Sequence, residues 1–286
     1  MKVLVTGVKG QLGHDAVQEL KRRGHEAIGV DIEEMDITDS YSVARVIASV
    51  KPDAVIHCAA WTAVDAAEDE DNREKVHLIN AVGTENIARE CKSVDAKMMY
   101  ISTDYVFDGQ GDKPWTADCK DYKPLNVYGQ SKLDGEFAVT RITDKHFIVR
   151  IAWVFGAHGN NFVKTMLKVG AARDSVRVVN DQIGTPTYTF DLARLLVDMI
   201  ETDKYGCYHA TNEGGYIGWN DFAKEIFKAA GYKTAVIPVT TKEYGLSKAA
   251  RPFNSRLDKS KLIASGFTPL PDWRDALTRY LKEIDY

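Results

Sequence analysis

Cysteine is scarce in this chain. Its four thiols, Cys58, Cys91, Cys119 and Cys207, are scattered with no CxxC spacing. That excludes a zinc knuckle and a redox pair, and it points to free thiols in a reducing compartment. Long apolar runs are missing too. No segment approaches the roughly 18 residues that a membrane helix needs. The apolar run in MKVLVTGVKGQLG stops at glycine, too early for a secretory signal, so a cytoplasmic location is expected. Excess positive charge is absent: the net charge is −4, which offers no basic footprint for nucleic acid or an anionic membrane. There is no G-x-S-x-G elbow, no HExxH and no Walker loop, and the seven histidines show no ligand spacing. Internal repeats and low-complexity tracts are lacking as well.

What is present is an ordinary soluble composition, 44% apolar and 27% charged over 286 residues. Short β-type runs at 2–6, 26–31, 54–57, 97–102 and 146–151 alternate with helical patterns near 11–23, 40–50, 73–94 and 128–142. Near-continuous apolar strands separated by helices predict a parallel sheet covered on both faces, an α/β Rossmann-type doubly wound fold. A sixth strand is expected at 176–180 and a helix near 189–202. Helical patterns near 219–230, 258–264 and 271–284 suggest a smaller C-terminal lobe. The expected division is a dinucleotide-binding domain over 1–150, with 181–205 adding to it, and a substrate-binding lobe from 151–180 and 206–286.

Two patterns carry chemistry. Thr6-Gly7-Val8-Lys9-Gly10-Gln11-Leu12-Gly13 follows the first strand and opens the first helix. Gly7 suits a tight turn, Gly10 a close backbone approach to a pyrophosphate, and Gly13 close packing of the helix; the helix N-terminus favours the anion. Asp31 ends the second strand, where a carboxylate accepts ribose hydroxyls and repels a 2′-phosphate. This points to NADH, with Lys9 as a contrary hint that leaves NADPH open. Asp36-Ile37 borders the expected adenine site, Ala60-Trp61-Thr62 follows the third strand, and Asn80 lies in the helix beneath.

The second pattern is Tyr128-Gly129-Gln130-Ser131-Lys132. Positions i and i+4 share a helix face, so the Lys132 ammonium is expected to lower the pKa of the Tyr128 phenol and ready it to protonate a carbonyl oxygen. Thr103, at the carboxyl end of the fourth strand, supplies a hydroxyl at the sheet edge where ligands bind in such folds. Tyr244 to Lys248 repeats the spacing without such a neighbour and reads as coincidence.

On these motifs the chain resembles the extended short-chain dehydrogenase/reductases, and among them those that reduce nucleotide-linked 4-ketosugars. The likeness continues through Ala59–Asp65, Ser102–Phe107, Pro124–Gly129, Trp153–Phe155, Gly159–Phe162, Asn180–Gln182 and Arg251–Leu257. It implies NAD(P)H-dependent reduction of the 4-keto group of dTDP-4-dehydro-L-rhamnose, with Thr103, Tyr128 and Lys132 catalytic and Asp104, Trp153 and Arg256 on the substrate. Related dehydratases carry Asp-Glu after the threonine; here Tyr105 follows Asp104, which leaves plain carbonyl reduction. Reduction of another NDP-4-ketosugar is the alternative, and a non-catalytic role like that of the regulatory subunit of methionine adenosyltransferase is a further one. Some relatives dimerise around magnesium held by glutamates. The matching positions here are Asp15, beside His14, and Asp191, whose shorter side chains put magnesium in doubt and leave homodimerisation open.

Overall fold

The computed structural model describes residues 1–286. Strands β1 (Lys2–Thr6), β2 (Glu26–Val30), β3 (Ala54–His57), β4 (Lys97–Thr103) and β5 (His146–Ile151) are short apolar runs, buried along most of their length except in β2, where only Val30 is buried. They join β7 (Gly206–His209) in one parallel sheet of order β7-β5-β4-β3-β1-β2. Both faces are covered. On one side α1 (Gln11–Arg22) and α7 (Thr189–Ile200) bury Leu20, Leu192 and Leu196 against Val3, Val5 and Phe147. On the other, α2 (Ser40–Val50), α4 (Gly83–Ser93) and α5 (Val127–Ile142) bury Ile47, Ile87 and Val139 against Leu4, Val55 and Ile148. The helical stretch before α4 opens as α3 (Glu70–His77) and passes through one π-turn at Leu78–Val82.

The rest of the chain builds a second core. It comprises α6 (Phe162–Ala172), β6 (Ser175–Val179) paired in parallel with β8 (Ala235–Val239), α8 (Trp219–Ala229) and α9 (Trp273–Glu283). Phe155, Leu167, Phe222, Phe227, Trp273 and Tyr280 fill it.

Two sequence expectations need correction. The strand expected at 176–180 forms, one residue earlier, but it belongs to the β6–β8 pair and not to the main sheet. The sixth sheet strand is β7, in a region assigned to the substrate lobe; the segment that follows it returns Leu262, Phe267 and Leu270 to the same core as β7's Tyr208.

The sheet order reverses between β1 and β3, the switch point where such sheets leave a crevice at their carboxyl ends. Gly7 sits there at φ +69°, and a Cβ on it would come 2.7 Å from the backbone nitrogen of Ala59. Only glycine lets the two loops meet so closely.

Candidate active site

A cavity of about 1040 Å³ runs along those carboxyl ends. It joins the glycine turn to the carboxyl end of β4 and the first turn of α5. Gly7, Gly10, Gln11, Leu12, Gly13, Asp31, Asp36, Ile37, Ala60 and Thr62 line one part, and Thr103, Asp104, Tyr128, Lys132 and Trp153 the other.

The glycine turn is close-packed. A Cβ at Gly13 would lie 2.3 Å from the Gly7 carbonyl oxygen, so the third glycine lets α1 press on the turn itself rather than on a strand. Gly10 has ordinary backbone angles and leaves the cavity wall low. At the outer end both Asp31 oxygens accept backbone N–H bonds, from Lys9 at 3.0 Å and Ile32 at 3.0 Å. The Lys9 ammonium turns away to Glu33 at 2.5 Å. Asp36 steadies its own turn by accepting from the Thr38 amide and hydroxyl at 2.9 and 2.8 Å.

Local chemistry brings Tyr128 to Thr103. Asn126 caps α5 by accepting from the Gly129 amide at 2.7 Å. A Cβ at Gly129 would sit 2.4 Å from the Tyr105 carbonyl oxygen, so glycine lets the helix start lie directly on the turn that follows β4. The Tyr128 and Tyr105 rings meet edge to face at 5.5 Å. The Thr103 hydroxyl donates to Asp104 Oδ1 at 3.0 Å and accepts from the Tyr105 amide.

Asp104 Oδ2 is buried and has no hydrogen-bond partner in the chain. Burial pushes its carboxyl up to about 6, and the nearby Ser255 and Thr103 hydroxyls offset only part of this. An orphaned buried carboxylate oxygen on a cavity wall is a site for a hydroxyl donor.

Lys132 is also buried. The Tyr100 hydroxyl donates to its carbonyl at 3.1 Å, and its ammonium lies 4.2 Å from the centre of the Tyr100 ring. Burial pulls this lysine down to about 7, against the opposing charge of Glu136. Glu136 in turn forms a buried pair with Arg150 at 2.6 Å and accepts from the Ser102 hydroxyl at 2.5 Å. His57, held between the Thr6 and Thr84 hydroxyls at 2.8 and 3.1 Å, is pushed by burial to about 3 and stays neutral.

The expected acidification of Tyr128 does not occur in this arrangement. Burial holds the phenol well above its usual range, the Asp104 charge adds to that, and only the nearby Thr103 hydroxyl opposes it. The Lys132 charge is directed towards Tyr100 and Glu136.

Three further expected residues lie off the cavity wall. Asn80 is buried and spent on protein: its amide accepts from the Trp61 amide at 2.8 Å and donates to the Trp61 carbonyl and the Ser131 hydroxyl. It fastens the loop after β3 to α5. Trp61 turns its indole N–H to the Ala63 carbonyl. Arg256 donates to Asn254 Oδ1 at 3.0 Å, beside the backbone of Trp115. The second Tyr-x-x-x-Lys is not a helical pair: its helix ends at Tyr244 with Gly245 at φ +62°, and Lys248 pairs with Asp69 at 2.7 Å.

Sequence reasoning missed Cys58, Lys75 and Tyr105 on the cavity wall, and Arg251, which bonds Asp65 at 2.6 Å and the Tyr105 hydroxyl at 3.2 Å. A contact between residues so far apart in sequence leaves no local pattern.

The magnesium positions do not fit a metal. Both Asp191 oxygens receive the Arg279 guanidinium, at 2.8 and 2.7 Å, and Asn212 adds a third bond. Asp15 is pushed up to about 6 by burial. No group of three ligating side chains converges there or elsewhere. No helix is long and apolar enough to cross a membrane.

Comparison with known proteins agrees with this geometry. The family model described as RmlD substrate binding domain matches residues 1–286. A dTDP-4-dehydrorhamnose reductase of Streptomyces griseus is 42% identical, covering 96% of this chain and 91% of its own. The crystal structure of a dTDP-4-dehydrorhamnose reductase from Clostridium acetobutylicum superposes with a TM-score of 0.95 at 40% identity, covering 100% of both chains. That of the Bacillus anthracis reductase in complex with NADP gives 0.94 at 42% identity, covering 99% of this chain and 100% of the other. With its glycine turn, its Thr-Tyr-Lys cluster and these matches over the whole length, the chain belongs to the dTDP-4-dehydrorhamnose reductase family of extended short-chain dehydrogenase/reductases.

Proposed function

We propose that the chain reduces the 4-keto group of dTDP-4-dehydro-L-rhamnose to give dTDP-L-rhamnose. The observation that carries the reading is one cavity holding both a dinucleotide cradle and Thr103, Tyr128 and Lys132. The cradle fits a nicotinamide dinucleotide: a Cβ at Gly7 or Gly13 would collide with backbone, and the N-terminus of α1 faces the cavity. When bound, that cofactor supplies the hydride that reaches the sugar's C4.

The chain's own residues do the rest. The Thr103 hydroxyl turns from Asp104 Oδ1 to donate to the carbonyl oxygen. Tyr128 gives it the hydroxyl proton, so that C4=O becomes CH–OH and a phenolate remains. The positive charge of Lys132 favours that phenolate once cofactor and substrate have displaced water from the cavity. The orphan oxygen of Asp104 accepts a sugar hydroxyl, and Trp153 walls the ring. Residues 1–150 with α7 and β7 hold the cofactor, and the lobe around α6, α8 and α9 completes the sugar end.

NADH is the preferred cofactor in this reading. Asp31 and Glu33 place two carboxylates at the outer end, and Glu33 neutralises Lys9, the cation inside the glycine turn that could meet a 2′-phosphate. The test is a panel of 4-ketosugar nucleotides run with NADH and NADPH. The highest kcat/KM is expected with dTDP-4-dehydro-L-rhamnose and NADH, and Tyr128→Phe should lower turnover roughly 10²–10⁴-fold. Near-normal turnover in that variant would overturn the proton-donor assignment.

A further inference from the structure

Trp153 leaves β5 at the cavity with a φ of +52°, a left-handed conformation that large side chains rarely adopt. Its backbone is pinned there. The Thr187 amide donates to its carbonyl at 3.1 Å, and the next two residues, Val154–Phe155, pair in parallel with Thr187–Tyr188. The indole is fixed separately. It stacks on Trp219 with ring centres 3.8 Å apart and planes 17° from parallel. Along its edge lies Gly184, where a Cβ would come 2.9 Å from the ring.

Trp219 is itself braced. It opens α8 directly after Gly218, which pairs with Ile183 in a two-stranded ladder, and Phe162 lies against its ring at 4.6 Å. Trp219 does not line the cavity. From the start of α8 it backs the one indole that does. A large residue held at positive φ persists only where its surroundings over-determine it, and such strained positions cluster at ligand clamps.

We propose that Trp219 is a positioning residue for the sugar ring: acting through Trp153, it holds that indole as a fixed flat wall against which an apolar face of the hexose packs. The proposal rests on the reductase reading above. Aromatic faces offer large apolar area with little conformational freedom to lose. Fixing the wall aligns C4 with the hydride donor, so a loosened indole costs sugar binding and alignment while leaving the cofactor untouched.

The experiment compares Trp219→Leu, Trp219→Phe and Trp153→Phe with the parent protein. Two stacked indoles give an exciton couplet in circular dichroism, which reports the stack apart from activity. All three variants should lose the couplet. Trp219→Leu should raise the KM for the ketosugar nucleotide about tenfold with the KM for NADH within about twofold, and Trp219→Phe should recover most of the loss. A lost couplet with an unchanged sugar KM overturns the proposal, and so does an equal rise in both Michaelis constants. If the parent reduces no 4-ketosugar nucleotide, the reductase reading fails by itself. Titration with dTDP-glucose, followed by tryptophan fluorescence, then decides the wall: a change abolished in Trp219→Leu supports it, and one that persists overturns it.

Discussion

Asp104 shows function set against stability at a single residue. The unfolded chain loses this proton near 3.8 and the folded one near 6. Between those values the folded state binds more protons, so stability falls as pH rises, and at neutral pH the full penalty is present. That penalty is on the order of 2–3 kcal/mol. Asp104→Asn is therefore expected to raise the melting temperature by several degrees at pH 7 while lowering kcat/KM for the sugar; a lower melting temperature would mean the orphan oxygen has a partner. The kcat/KM profile should rise as Asp104 ionises near 6 and fall as Lys132 loses its proton near 7. Asp104→Asn should remove the acid limb alone, and its persistence would assign that limb elsewhere. At the outer end, Glu33→Ala frees Lys9, and the KM for NADPH should drop by up to about fivefold with that for NADH little changed, the range that an exposed ion pair allows. Tyr128 and Lys132 were legible because their spacing is local. Their charge environment was not, since it depends on Tyr100, Glu136 and Asp104, which only the fold brings near.

At the scale of elements, α5 carries the site. Asn126 does two things: it caps the helix and donates to the Ala250 carbonyl at 2.8 Å, tying the Arg251 segment to the helix start. Asn126→Ala should cost about 1 kcal/mol from the cap. It should lower kcat more than that loss of stability implies, because Tyr128 sits in the first turn that Asn126 caps; unchanged kcat would reduce Asn126 to a structural cap. The first five strands and α1, α2, α5 and α7 could be read from apolar runs and periodicity, and β1, β3 and β5 match to the residue. β7 could not. It is an edge strand of four residues, Gly-Cys-Tyr-His, with too little apolar pattern to register. α6 was missed because Gly159-Asn160-Asn161 reads as loop, although Asn161 is the cap, accepting from the Lys164 amide at 3.0 Å. The strand at 175–179 was found but misplaced, since pairing partners are not written in a strand's own residues.

For the whole molecule, the Trp153–Trp219 stack links the small cluster around Phe107 and Leu133, beside the cavity, to the core of the second lobe. The Arg279–Asp191 pair joins α9 to α7 and occupies both carboxylate oxygens that a divalent ion would need. Chelation with EDTA should accordingly leave activity and melting temperature unchanged; a loss restored by magnesium would contradict this. Arg279→Ala would leave the buried Asp191 with one partner fewer and should destabilise the fold by about 1–3 kcal/mol. The central claim is hydride delivery to the sugar's carbonyl carbon with a proton from Tyr128, and isotope transfer reads it most directly. NADH deuterated at the transferable position is incubated with dTDP-4-dehydro-L-rhamnose, and the product is analysed by NMR. The account expects one deuterium at C4 of the sugar in the parent protein and almost none formed by Tyr128→Phe in the same time. A product without deuterium at C4, or one formed equally fast by the variant, would contradict it.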